Sequence, residues 1–164
     1  MALLPFICSA GRYGLPPGGG AASVAPPAND YIVYVPVRIP EDCTVLRVYW
    51  ANGGSVSGNV NLGLYSSAGS KLWETGSTAQ SGTNQLQFVD IANQATSAGF
   101  YYMALQFSST SARVCRFAPT LFYLQAAGIM EQQAGSFALP ATATFAKLAN
   151  AYLPAFGLDL RGTP

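Results

Sequence analysis

The sequence predicts an all-β protein: an antiparallel two-sheet β-sandwich with extended N-terminal and C-terminal arms. Three observations support this prediction. Apolar and polar residues alternate in most segments between residues 30 and 125, as in strands with one buried face. Turn-forming residues separate these segments. No segment before Ala126 shows the apolar spacing and the caps of a helix.

The clearest pair of strands is predicted within residues 59–76. The apolar residues of the first strand alternate with polar or small residues, and they are Val60, Leu62 and Leu64. Residues 66–69 have turn chemistry, and residues 71–74 resume the alternation, with Leu72 expected to point inward and Trp73 outward. The two runs are therefore predicted to form a β-hairpin.

The same alternation predicts further strands at residues 31–37, 43–50, 84–91, 100–107, 113–117 and 120–125. Their expected inward-facing residues are Leu46, Val48, Trp50, Leu86, Phe88, Tyr101, Met103, Leu105 and Phe107. Pro36 has no amide hydrogen, which places the first of these strands near a sheet edge or makes Pro36 part of the strand's own end. A count of about eight strands is typical of a two-sheet antiparallel sandwich.

The chain divides into one domain and two arms. Residues 1–29 are rich in Pro and Gly and are predicted to form an extended N-terminal arm. Residues 30–125 form the predicted sandwich domain. Residues 126–164 are predicted to form a C-terminal arm with at most one short helix, within residues 143–152. This arm is apolar, so that either a partner or the sandwich itself must cover it.

Composition limits the possible partners. Hydrophobic residues make up 50% of the chain and charged residues only 9%, against roughly 25% in average proteins. The net charge is +1 and the basic residues are scattered, so the sequence predicts no nucleic-acid binding. No apolar run approaches the ~18 residues that cross a membrane, and no membrane association is expected. Low charge favours stable assembly with other chains.

The residues offer little catalytic equipment. The chain has no histidine, the usual general base and the commonest metal ligand. Cys8, Cys43 and Cys115 are far apart, and packed reduced thiols are expected rather than a disulfide between the last two. The neighbouring acids Glu41 and Asp42 are expected in a solvated turn. The sequence therefore predicts no enzymatic activity, no cofactor and no catalytic or metal-binding residue; a small glycosidase or esterase is the least favoured hypothesis.

The aromatic residues are the best functional signal. Four of them fall on the predicted outward phase of their strands: Tyr49, Tyr65, Trp73 and Tyr102. Exposed aromatic rings of β-sandwich proteins stack on sugars, and a glycan site is one interpretation. The other is that these rings pack against neighbouring subunits or beneath the arms. The second interpretation is favoured, because the charge depletion and the apolar ends also indicate buried contacts.

Two segments resemble a pattern of tailed-bacteriophage virion proteins. They are Asn61 to Leu72, with its G-L-Y…G hairpin, and Gly99 to Leu105, with its G-x-Y-Y-x-A-L strand. In those proteins the two motifs belong to a jelly-roll-like sandwich. The ending from Leu139 to Leu158 is similar to the tails of the same proteins. The resemblance extends over residues 30–160.

This resemblance implies a non-enzymatic structural protein of a virion, assembled in the host cytoplasm. The favoured role is a capsid decoration or cement protein that binds neighbouring capsid or tail subunits through its arms. A homo-oligomer, and specifically a trimer, is expected. The alternative is a tail-fibre, neck or receptor-binding component whose sandwich binds a host glycan. The resemblance carries over no catalytic residue.

Overall fold

A computed structural model describes residues 22–117 and 120–162 of the chain. Within these ranges all strand pairs are antiparallel, which confirms the predicted all-β antiparallel class. The strands are β1 Ala22–Val24, β2 Tyr31–Ile39, β3 Cys43–Ala51, β4 Asn59–Ser66, β5 Lys71–Glu74, β6 Thr78–Ala79, β7 Leu86–Thr96, β8 Gly99–Phe107, β9 Val114–Phe117, β10 Met130–Gln133, β11 Ala146–Lys147, β12 Leu153–Pro154 and β13 Phe156–Gly162, and the helix is α1 Leu121–Ala126.

The strands form two layers. One layer is a seven-stranded sheet with the order β11-β10-β2-β8-β4-β5, in which β6 also pairs with β4. The other consists of two three-stranded sheets, β1-β9-β12 and β13-β3-β7. Ala155 joins these two sheets, because its N–H donates to Cys115 O (2.8 Å) and its carbonyl accepts from Ala51 N–H (2.9 Å). Residues 153–162 thus pair first with β9 and then with β3.

The main core lies between the layers. The seven-stranded sheet contributes Tyr31, Val33, Val35, Val37, Val60, Leu62, Leu64, Met103, Leu105 and Phe107, and the opposite layer contributes Val45, Val48, Trp50, Val114, Leu153, Phe156 and Leu158. The inward faces predicted for β4 and β8 are confirmed. Each fully buried large apolar side chain contributes about 1.5–3 kcal/mol, so this core is the main source of stability.

A second, smaller core lies on the outer face of the seven-stranded sheet. It contains Ile32, Tyr34, Tyr65, Ala104 and Leu139, with Tyr102 and Phe145 packed against it. Residues 134–145 cover this face and are fixed by backbone hydrogen bonds from Lys71 N–H to Ala141 O (2.9 Å) and from Ala143 N–H to Gly69 O (2.8 Å). The apolar C-terminal segment was expected to be covered either by a partner or by the sandwich. In the structure it packs on the sandwich.

The region after Ala126 adds strands to every sheet. β10 pairs with β2, β12 with β9, and β13 with β3. The short helix considered for residues 143–152 does not form, and this stretch holds only the two-residue strand β11. The edge or end position predicted from Pro36 is wrong, because β2 lies between β10 and β8 and continues to Ile39. Pro36 is tolerated because β10 pairs only with residues 31–34, so that β2 has a neighbouring strand on one side only at Pro36.

The strand predicted at residues 120–125 is wrong, because α1 occupies this position. The side chain of Thr120 accepts a hydrogen bond from Tyr123 N–H and caps the helix. Leu121 and Leu124, three residues apart, pack toward the main core. Gly128 follows with a φ of 76°, which suits glycine just after a helix. The contacts of Leu121 and Leu124 and the residues at the two helix ends therefore favour a helix over a strand in this short segment.

The inward and outward faces predicted for β5 are also wrong. Leu72 is 50% exposed, whereas Trp73 packs against the main core. The pairing places Leu64 opposite Trp73 but Tyr65 opposite Lys71, so that Leu72 is an extra residue on β5. A bulge of this kind reverses the faces of the residues beyond it.

β7 shows the same reversal. Leu86 and Phe88 are 47% and 39% exposed, and Val89 packs against the core instead. Directly opposed residues share a sheet face, and Val89 lies opposite the buried Val48. Gln87 also points inward, and hydrogen bonds to its amide make this possible. A satisfied polar residue inside the sandwich therefore misled the prediction.

The predicted N-terminal arm lies outside the described residues as far as Ala21. The rest of it contacts the body of the protein: β1 pairs with β9, and Pro26 is buried.

Gly63→Ala should loosen the segment that covers the outer face of the seven-stranded sheet. A Cβ at this position would lie 2.7 Å from Leu139 Cδ1 and 2.9 Å from the carbonyl oxygen of Trp73. We expect a loss of about 1–3 kcal/mol in the free energy of unfolding and faster hydrogen exchange in residues 134–145. The control is Gly135→Ala, where the new Cβ would meet nothing within 4 Å. Equal stability of the two variants would contradict the packing described here.

A candidate binding face on the outer sheet

The structure separates the four predicted aromatic residues. Tyr65 and Tyr102 lie under residues 134–145, on the outer face of the seven-stranded sheet. Tyr65 is fully buried, its hydroxyl donates to Pro140 O (2.7 Å), and burial raises the pKa of this hydroxyl. The Tyr102 ring packs 4.5 Å from the Phe145 ring. Both rings point to the outer face of the sheet, as the alternation predicted. The C-terminal segment covers them, which agrees with the interpretation that such rings pack beneath the arms.

Trp73 is half-buried and faces the main core rather than solvent. Its indole N–H is buried and has no hydrogen-bond partner among the described residues. Trp73 therefore lies with neither the Tyr65–Tyr102 pair nor Tyr49.

Tyr49 lies on the outer face of the β13-β3-β7 sheet. In the register of this sheet, Gly157 and Phe88 lie on either side of it. The rings of Tyr49 and Phe88 are 5.7 Å apart at a tilt of 46°. A Cβ built on Gly157 would lie 2.4 Å from the Tyr49 hydroxyl oxygen, so only glycine leaves room for the ring. Tyr49 thus covers Gly157 and supports Phe88.

Polar groups border these rings. The guanidinium carbon of Arg47 lies 4.7 Å from the centroid of the Phe88 ring, a cation–π contact. Arg47 Nε also donates to a carboxylate oxygen of Asp159 on β13. Asp90 lies opposite Arg47 on β7. We call this surface the outer aromatic face, and it consists of Arg47, Tyr49, Leu86, Phe88, Asp90, Gly157 and Asp159.

The outer aromatic face ends at an open strand edge. β7 is the last strand of its sheet, and its far side pairs with no other strand in the part of the chain that the structure describes. It has 11 residues, and Asp90 is its only charged residue. By contrast, the edge strand β5 of the seven-stranded sheet has four residues and is charged at both ends. Short strands and charged side chains protect sheet edges from pairing with other chains. β7 is long and carries a single charge.

A buried amide network holds β7 against β3. Trp50 Nε1 and Gln80 Nε2 both donate to Asn52 Oδ1, at 2.8 and 2.9 Å, and Asn52 Nδ2 donates to Gln87 Oε1 at 3.1 Å. Asn52 is completely buried. This network could not be predicted from the sequence, because its amides are scattered between loops and strands without a spacing that would link them.

The described residues hold no group of three or more Cys, Asp or Glu side chains that could bind a metal ion. Cys43 and Cys115 are free thiols, as expected, and burial raises the pKa of both; Cys8 lies outside the described residues. No helix in residues 22–117 and 120–162 is long and apolar enough to cross a membrane. The outer aromatic face itself offers rings for stacking, exposed apolar side chains and hydrogen-bonding groups.

Comparisons with protein families, with curated proteins and with solved structures find no match for this chain. The interpretation of the face therefore depends on its own geometry.

The buried tyrosines should make the fold sensitive to alkaline pH. Burial raises the pKa of Tyr34 from 10.0 to about 12, and the hydroxyl donates to Gln132 Oε1 (2.8 Å). A raised pKa in the folded state means that this stability is complete below pH 10 and is lost as the pH rises toward 12. We expect Tyr34→Phe to reduce the slope of unfolding free energy against pH in this window by up to about 1.4 kcal/mol per pH unit. Denaturant unfolding at several pH values measures it, and an unchanged slope would contradict the assignment.

Proposed function

We propose that this protein is a non-enzymatic structural protein that binds other protein chains, and that it serves as a capsid decoration protein in the virion of a tailed phage. The observation that supports binding is the outer aromatic face together with the open edge of β7. The assignment to a virion is supported by the sequence resemblance alone.

The outer aromatic face has the composition of a protein interface. Leu86 and Phe88 supply exposed apolar area next to Tyr49, and aromatic residues with arginine are typical of interface centres. Asp159 and the Phe88 ring already hold the Arg47 side chain in place. A partner that contacts Arg47 would therefore pay a smaller cost in side-chain entropy than a partner that contacts an arginine without such support.

The open edge of β7 would also set the direction in which a partner segment binds. An extended segment of another chain can pair with it through backbone hydrogen bonds, while Leu86 and Phe88 contact the side chains of the added strand. A shell or fibre built from many such contacts is held together by effective concentration, although each contact is weak.

The proposed contacts differ from those expected from the sequence. The strands β10, β12 and β13 pair with other strands of the same chain, so the C-terminal segment that contains them is no longer proposed as a docking arm. The N-terminal segment before Ala22 lies outside the described residues and stays a proposed contact. Assembly as a trimer and the location in a capsid are likewise proposals.

The second candidate is a glycan-binding module. Tyr49 and Phe88 present neighbouring rings, and the Arg47–Asp159 pair borders them with planar polar groups. Sugar-binding sites combine such rings with hydrogen-bonding side chains. This site would use Phe88 in place of Tyr65 and Trp73, which are covered.

Phe88→Ser should weaken binding to neighbouring subunits, since it removes the central exposed ring of the face. We expect its copy number in purified particles, measured by quantitative mass spectrometry, to fall by about tenfold, the effect of losing a modest interface contact. Phe122→Ser is the matched control, because Phe122 is 81% exposed on α1. Absence of the wild-type protein from particles would contradict the virion assignment, and full incorporation of Phe88→Ser would contradict the role of the face.

Tyr49→Ala distinguishes the two candidates. If the face binds sugars, the wild-type protein should give signals on a glycan array that Tyr49→Ala abolishes. If the face binds protein chains, we expect no glycan signal from the wild-type protein. Circular dichroism of the variant checks that it folds, because Tyr49 also covers Gly157.

A further inference from the structure

Asn52 and Gly53 form the only Asn-Gly pair in the chain. In such a pair the backbone nitrogen of the glycine can attack the side-chain carbonyl carbon of the asparagine, because glycine has no side chain to obstruct the approach. The attack forms a cyclic succinimide and releases the side-chain nitrogen as ammonia, which takes up the proton of the attacking N–H. Water then opens the ring to aspartate or isoaspartate. The pair is therefore chemically labile.

The fold nevertheless requires both residues of this pair. A Cβ at position 53 would lie 2.4 Å from Ser23 Oγ and 3.0 Å from Arg113 Cβ, so that only glycine fits. At position 52 the side chain must both accept and donate, because Oδ1 accepts two hydrogen bonds and Nδ2 donates two. An ionised aspartate has no donor and could not replace the asparagine.

The folded structure blocks the reaction in three ways. Asn52 is completely buried, which keeps water from its side chain. The N–H of Gly53 donates to Arg113 O at 2.9 Å, so that the attacking nitrogen is already engaged. The Asn52 amide is also held in place and cannot turn toward Gly53. The groups that hold it are Trp50 Nε1, Gln80 Nε2, Ser81 O and Gln87 Oε1.

Three of these four groups belong to one short segment, residues 80–87. They come from Gln80, Ser81 and Gln87. The segment leads into β7, the edge strand whose far side pairs with no other strand in residues 22–117 and 120–162. Edge segments open locally at a lower free energy than the whole domain unfolds. Detachment of residues 80–87 would therefore free the Asn52 amide while both cores stay intact.

We propose that Asn52 is a deamidation site that reacts only when residues 80–87 detach, and that the reaction then prevents their return. In aspartate, the oxygen that replaces Nδ2 would face Ser81 O and Gln87 Oε1, which both accept hydrogen bonds. A buried carboxylate in this position is costly. Isoaspartate lengthens the backbone by one atom at the bridge between Asn52 and Val114. The site does not depend on the proposed function.

The first test compares the full wild-type chain in buffer and unfolded in guanidinium chloride, at the same mildly alkaline pH. Mass spectrometry of the peptide that contains Asn52 measures the conversion of amide to acid. We expect the rate to be at least about a hundredfold lower in the folded protein, because only the open fraction reacts. Low guanidinium concentrations should raise this rate less steeply than they raise the constant of global unfolding, since local opening exposes less surface. Similar rates in the two states, no reaction in the unfolded chain, or equal steepness would each overturn the proposal.

Gln87→Ala tests the role of the segment directly, because it removes one acceptor of the Asn52 amide. We expect the folded variant to deamidate about tenfold faster than the wild type, through the loss of one hydrogen bond. The matched control is Gln94→Ala on the same strand, since the Gln94 amide donates to Ala92 O instead. Equal rates of the two variants would contradict the proposed opening.

The variant Asn52→Asp carries one product of the reaction and tests its effect on the fold. We expect its Tm to be lower than that of the wild type by about 5 °C or more, because a buried carboxylate faces two acceptors. Asn93→Asp is the control, since Asn93 is exposed on β7. An unchanged Tm of Asn52→Asp would contradict the claim that deamidation prevents the return of residues 80–87. This measurement and the wild-type comparison hold even if Gln87→Ala fails to fold.

Discussion

The fold depends on the way residues 153–162 close the second layer. This stretch pairs with β9 through its first residues and with β3 through the rest, so that two small sheets act as one layer. It also adds Leu153, Phe156 and Leu158 to the main core. Without it, β3 and β9 would be joined mainly by the bridge between Asn52 and Val114. The pairing of β13 with β3 is the most non-local strand pairing among the described residues, and it makes the C-terminal segment part of the domain.

The low charge of the chain has a structural counterpart. Some buried polar side chains are satisfied by amides rather than by ions, as in the network of Asn52, Gln80 and Gln87. Residues 134–145 cover the apolar side chains on the outer face of the seven-stranded sheet. The β13-β3-β7 sheet has no such cover in the described structure, and Leu86 and Phe88 stay exposed there. This difference between the two outer surfaces is why the outer aromatic face is the proposed binding surface.

The sequence predicted the class of the fold and much of its core, and it failed where alternation is locally broken. Val60, Leu62 and Leu64 were assigned correctly because their strand has no bulge. Leu72 and Trp73 were reversed by one extra residue in β5, and Phe88 was reversed because Gln87 points inward with satisfied hydrogen bonds. The candidate site was predicted only at Tyr49. The covers over Tyr65 and Tyr102 come from residues more than thirty positions away, and periodicity carries no information about such contacts.

The most direct test of this account is the folding of a chain that ends at Gly128 and lacks residues 129–164. If the C-terminal segment completes both cores, the truncated chain should show no cooperative unfolding by circular dichroism, and its amide protons should exchange without protection. A truncated chain that unfolds cooperatively with the stability of the full protein would contradict the account, because residues 129–164 would then be an arm carried by an independent sandwich.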